Sequence, residues 1–116
     1  KKAETVASAA DVGKVWTKPD LMARGEKVYA QCAACHGVTG AGIPGVFPSL
    51  KGGKITTGPV NGHIGMVLKG KPGTAMQAYA GQLNDADIAA VVTYERNAFG
   101  NNTGDVVQPS AVKALR

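Results

Sequence analysis

Two cysteines and a histidine fall together in the run Cys32-Ala33-Ala34-Cys35-His36. Thiol and imidazole are the most versatile metal-binding and redox groups a chain carries, and few chemistries suit this spacing. A disulfide between residues so near in sequence closes a tiny loop and stabilises little. A thioredoxin-like dithiol would follow a strand inside a βαβ pattern, and no such alternation occurs. A tetrahedral zinc site needs two more ligands, yet there is no third cysteine and the only other histidine is His63. The remaining chemistry is covalent porphyrin attachment. Thiols at i and i+3 on one helical turn can reach two vinyl groups along one porphyrin edge, and the next residue then presents its imidazole to the iron. The spacing implies one covalent haem c, bonded through Cys32 and Cys35, with His36 as an axial ligand.

Four side chains are candidates for the opposite face of the iron. Met22 precedes Cys32 on the same helix and cannot cross the ring. Met66 lies beside Ile64 and Val67 inside a second helix, where core packing is its expected role. His63, between Gly62 and Gly65, is expected at the surface or near a propionate. Met76 ends the run Gly70-Lys71-Pro72-Gly73-Thr74-Ala75-Met76. This loop is stiffened by proline, can approach a flat ring closely at Gly73, and is long enough to reach the far face. Met76 is the favoured sixth ligand, with Met66 and His63 as rivals. A thioether favours ferrous iron and raises the potential. The second ring N–H of His36 needs an acceptor, for which the carbonyl of Pro48 is the candidate.

Helices must position these groups. Lys18-Pro19-Asp20 starts the first firm one, running from Asp20 to about Ala33, with Leu21, Gly25, Val28 and Cys32 near one face. From Gly37 to Gly58 glycine and proline dominate, giving a long loop that a flat cofactor could pack. Gly58-Pro59 opens a second helix, Val60 to Lys69, closed by Gly70. Asn84 caps a third, with Asp85 and Asp87 in its first turn and a stripe of Ile88, Val91 and Val92, ending near Ala98 with Gly100 beyond. A short last helix follows from Gln108-Pro109 to Leu115. A glycine inside a helix usually has a packing reason, so Gly25 and Tyr94 mark a close crossing of the first and third helices. The fold class is all-α: a lead-in over residues 1–19, then one domain over 20–116.

Composition agrees. The chain is 116 residues, 44% hydrophobic but only 5% aromatic, a thin core that a buried porphyrin would fill out. No run of about 18 apolar residues exists that could span a membrane. Net charge is +5, and no acid occurs between Val28 and Asn84, a stretch carrying Lys51, Lys54, Lys69 and Lys71. That stretch should present a positive surface to an acidic partner. Lysines scattered among glycines without stacking aromatics exclude nucleic acid as the partner.

The order Cys-x-x-Cys-His, then Pro48-Ser49-Leu50-Lys51-Gly52, then the Met76 loop, then a terminal helix with Tyr94, resembles class I cytochromes c. The resemblance implies three main helices and long loops wrapped around one haem c, with His36 and Met76 as iron ligands. A narrower likeness runs through Met22-Ala23-Arg24-Gly25-Glu26-Lys27-Val28-Tyr29, Gly45-Val46-Phe47-Pro48, Gly70-Lys71-Pro72-Gly73-Thr74-Ala75-Met76, Val92-Thr93-Tyr94-Glu95-Arg96-Asn97 and Gly100-Asn101-Asn102-Thr103-Gly104-Asp105. These segments are similar to the cytochrome c domain at the C-terminus of subunit II in bacterial caa3-type cytochrome c oxidases. Gln77 after Met76, and Phe99 where a tryptophan is expected, depart from those patterns. The narrower likeness implies an electron-transfer domain, not an enzyme on its own, on the periplasmic side of the inner membrane in a membrane-anchored parent. It would take electrons from a donor cytochrome or complex and pass them to the dinuclear copper centre of the same subunit. A free-standing periplasmic shuttle is the alternative.

Met76→Ala should abolish the low-spin absorption spectrum of the matured protein, whereas Met66→Ala should leave it intact. The reverse result would reassign the sixth ligand.

Overall fold

The computed structural model describes residues 15–30, 32–33, 37, 40–42, 50, 52–53, 55–70, 76 and 78–116. Four helices occur in order among them: α1 (Lys18–Tyr29), α2 (Val60–Lys69), α3 (Asp85–Asn97) and α4 (Pro109–Leu115). The described residues contain no strand.

Local chemistry sets the boundaries. Thr17 caps α1 by accepting from the Asp20 N–H at 3.3 Å, with Pro19 in the first turn, where its missing N–H costs nothing. The helix ends at Tyr29, short of the expected Ala33. Beyond it the bonds tighten to i−3, Ala30 N–H to Lys27 O and Cys32 N–H to Tyr29 O, so Cys32 begins a separate turn. Helix α2 spans the residues its Gly-Pro and Gly punctuation predicts, and Gly70 ends it at φ 68°. Asn84 caps α3, its side chain accepting from the Asp87 N–H at 2.8 Å.

Helix α3 is the centre of the molecule. The stripe of Ile88, Val91 and Val92 is fully buried, but so are Ala86, Ala89, Ala90 and Thr93. The reason is that α1, α2 and α4 all pack against it. Its two first-turn acids are also enclosed. Asp87 accepts from Arg24 Nε of α1 at 2.7 Å, and Asp85 pairs with Arg116, whose guanidinium also donates to the carbonyls of Ala80 and Leu83.

The α1–α3 crossing falls at Gly25. A Cβ there would lie 2.2 Å from the Ala90 carbonyl oxygen and 2.6 Å from Tyr94 Cβ. The expected pairing of Gly25 with Tyr94 is thus present, with the Ala90 backbone as the tighter neighbour. Trp16, on the lead-in side of residue 20, is buried in the same core. Its N–H donates to Gln108 Oε1 at 2.7 Å, its carbonyl accepts from Gln108 Nε2 at 2.9 Å, and Arg24 stacks over its ring.

Gly25→Ala must push two helix backbones apart, which costs about 3 kcal/mol, the upper range for overpacking. Chemical denaturation should show this as a large drop in midpoint.

Candidate haem-binding site

The attachment turn hangs from the end of α1, and one residue grips it at two points. The carbonyl of Tyr29 accepts from the Cys32 N–H at 2.8 Å. Its phenol donates to the Gly37 carbonyl at 2.6 Å, and the Gly37 N–H returns to the Ala33 carbonyl at 2.8 Å. Tyr29 therefore holds both Cys32 and Gly37, the residues that bracket the rest of the Cys-x-x-Cys-His motif in sequence. Cys35, His36 and Pro48 lie outside the described residues.

Tyr29 is itself enclosed by rings. Its centroid is 5.7 Å from Tyr94 and 5.1 Å from Phe99, and Tyr94 and Phe99 meet edge to face at 5.5 Å. Burial raises the Tyr29 hydroxyl well above the ordinary phenol value, with smaller contributions from Glu95, Cys32 and Tyr94. Burial, then Glu26, raises Tyr94 in the same direction. Tyr29 therefore keeps the proton it donates to Gly37. No periodicity argument singles out Tyr29, and its only signal is an aromatic residue one turn before the first cysteine.

Met76, like Cys32, is half-buried against the central core. Close after it, the Tyr79 and Ala80 N–H groups donate to the Val67 and Leu68 carbonyls at the end of α2, fixing the exit of the Met76 segment. Residues 71–75 and 77 of that loop, and Lys51 and Lys54, lie outside the described residues. Met66 is half-buried on α2 and Met22 on α1.

His63 departs from expectation. It is 2% exposed, not at the surface. Nε2 lies 2.7 Å from Glu95 Oε1, and Nδ1 lies 3.4 Å from Arg96 Nη1. Arginine can only donate, so Nδ1 accepts and Nε2–H donates to the carboxylate. Neither ring nitrogen is left for iron. The burial is possible because α3 supplies polar partners facing α2. Arg96 also binds Asp105 through Nε at 2.8 Å and donates from Nη2 to the Gly58 carbonyl at 2.6 Å, so α2, α3 and the tail share one ionic cluster. Among the described residues every buried side-chain nitrogen and oxygen has a partner.

Cys32 and Ala33 after α1, Leu50 in the long loop, Val60 on α2 and Met76 after it are all incompletely covered apolar or sulfur-bearing groups against the one core. They come from four separate segments.

Comparison with known proteins places this arrangement. Residues 20–94 match the family described as cytochrome C oxidase, cbb3-type, subunit III. Cytochrome c-552 of Thermus thermophilus is 36% identical over 92 residues, covering 68% of this chain and 70% of that protein. Among solved structures, dihydro-heme d1 dehydrogenase NirN in complex with DHE aligns with a TM-score of 0.56 and 36% identity, over 65% of this chain and 16% of that one. The c-type cytochrome NirC aligns with a TM-score of 0.51 and 28% identity, over 73% of this chain and 92% of that one. The chain belongs to the c-type cytochromes, the all-helical electron carriers whose cofactor is haem c. The described residues are compatible with that group: a thiol and a thioether, Cys32 and Met76, are each half-buried against the apolar core.

Because the phenol proton of Tyr29 is held above the unfolded value near 10, its contribution to stability is full below about pH 10. It is lost as pH rises through the unfolded value toward the folded one. Tyr29→Phe should therefore be less stable near neutrality by about 1 kcal/mol, for the lost hydrogen bond, yet decline less steeply above about pH 10. Urea denaturation across that range checks both.

Proposed function

We propose that this domain passes single electrons through one haem c, bonded by thioethers from Cys32 and Cys35 and ligated by His36 and Met76. The observation that carries the reading is the shared placement of Cys32 and Met76 against one core, one on each side of the long loop region, in a chain of the c-type cytochrome family. When bound, the haem supplies a one-electron couple at its iron. The protein's contribution is positional. Tyr29 fixes the turn holding the first thiol, and the α2 carbonyls fix the segment holding the thioether. With both axial positions filled by side chains, no substrate coordinates, which separates this reading from a haem enzyme or gas sensor.

The charge pattern supports an acidic partner. All three arginines are used internally, on Asp85, Asp87 and Asp105, and Glu95 is used on His63. These acids do not neutralise the lysines of the acid-free stretch, and the described Lys69 is exposed. The sequence likeness to caa3 subunit II makes the dinuclear copper domain our proposed acceptor, on the periplasmic face of a membrane-anchored parent. Among the described residues no helix is long and apolar enough to cross a membrane. A free-standing shuttle is favoured by a different observation, the match covering 92% of NirC.

The matured protein should retain its colour through acidified organic solvent, show a low-spin spectrum in both oxidation states and bind no carbon monoxide when reduced. Its electron-transfer rate to an acidic partner should fall steeply with salt. Extractable pigment overturns the attachment, and salt-independent rates overturn the partner chemistry.

A further inference from the structure

Asn61 is the one asparagine of the chain that a glycine follows. Asn61 and Gly62 are both exposed and fall in the first turn of α2. That turn has no side-chain cap, because Pro59 stands at the cap position, and it contains no acid. Its helical bonds begin with His63, whose N–H donates to the Pro59 carbonyl at 3.2 Å. The Gly62 N–H comes one residue earlier, among the first-turn donors that an α-helix leaves without a helical acceptor. A Cβ at position 62 would meet no atom within 4 Å. Glycine is a poor helix residue, and here no packing within the described residues requires it. The other asparagines are engaged or differently flanked. Asn84 caps α3, Asn97 bonds Thr93, Gly104 and Asp105, and Asn101 is buried. Asn102 is exposed but precedes Thr103.

We propose that Asn61 is a modification site at which the chain converts its own amide to a carboxylate. The Gly62 amide nitrogen, on losing its proton to hydroxide, attacks Asn61 Cγ, and a succinimide ring closes. The Nδ2 group leaves as ammonia. Water then opens the ring at one carbonyl or the other, giving aspartate or isoaspartate, so one water is consumed and one ammonia released. No helical hydrogen bond has to break to free the attacking nitrogen, and the missing side chain at residue 62 leaves the ring unobstructed. The two products differ in their effect on the fold. Aspartate stands in a first turn that otherwise has no acid, where the helix dipole favours it. Isoaspartate routes the main chain through Cγ, which lengthens the backbone just before His63 and works against its buried bond to Glu95. Either product is the first acid in the stretch between Val28 and Asn84. A second effect, which rests on the proposed function, is weaker attraction to an acidic partner.

The test incubates the matured protein, wild type beside Gly62→Ala and Asn61→Asp, at neutral and at mildly alkaline pH. Peptide mass mapping and isoelectric focusing follow the conversion, and enzymatic isoaspartyl methylation distinguishes the two products. Wild type should lose the Asn61 amide and gain an acidic species that migrates with Asn61→Asp, faster at the higher pH. Conversion at Asn61 should outrun that at Asn102, and Gly62→Ala should suppress it. The native rate should lie within about tenfold of the rate in urea, since a fraying first turn opens at little cost. A native rate below that range, or equal conversion in Gly62→Ala, overturns the site. Electron transfer to an acidic partner should be slower for Asn61→Asp than for wild type at low salt, and equal to it at high salt. Equal rates at low salt overturn the charge effect. A wild-type rate that ignores salt overturns the partner reading instead and leaves the modification standing.

Discussion

Two helices approach so closely that position 25 has no room for a side chain, and the geometry of the molecule is set from that contact. With Gly25 against the Ala90 carbonyl and Tyr94 Cβ, α1 and α3 are fixed both in separation and in axial register. Register matters because each helix carries its functional residues just past the crossing. Tyr29 and Cys32 follow Gly25 on one side, and Tyr94, Glu95, Arg96 and Phe99 follow Ala90 on the other. A slide of one residue would rotate Tyr29 off Tyr94 and Phe99 and release the turn that it holds.

Helix α3 then acts as a junction for everything else. Its first turn is held by two arginines from opposite ends of the chain, and its last turn holds α2 through His63 and Gly58 and the tail through Asp105. The cationic residues divide their labour. Arginine, planar and always charged, satisfies buried carboxylates with several bonds at once, while the described lysines Lys18, Lys27, Lys69 and Lys113 stay in water. A small domain with few aromatics thereby obtains a closed interior, using ionic cross-links where bulk is scarce. Each such link is strong only because its partners are complete, and removing one member would leave a buried charge behind.

Much of the scaffold was legible because its punctuation is local. Pro59 and Gly70 around α2, Asn84 before α3 and Pro109 at α4 each act on their own backbone, so the helix limits could be read within a residue or so. The Gly25–Tyr94 crossing was legible too, since a glycine on an apolar helical face marks a place where another helix comes close. The burial of His63 was not. Its partners Glu95 and Arg96 lie on another helix, and no period in the sequence pairs polar residues so distant. Phe99 gave no sign of its left-handed backbone, because side-chain type argues against it and only the surrounding packing imposes it. Asn101 entered only as one residue of the Gly100–Asp105 likeness, when it is a buried cross-link. For the site itself, Cys35, His36 and Pro48 rest on the sequence alone, while Cys32 and Met76 are half-buried against the core.

The reciprocal bonds between Gln108 and the backbone of Trp16 carry a consequence for how the molecule comes apart. A single side-chain amide supplies both bonds that a neighbouring strand would have given that residue. Trp16 is buried, while Val15 beside it is 81% exposed. A peptidase would thus find Val15 in the open and the Trp16 backbone held until the segment before α4 has let go. Release of the Trp16 segment is thereby coupled to release of the segment entering α4, so the two come apart as a single event.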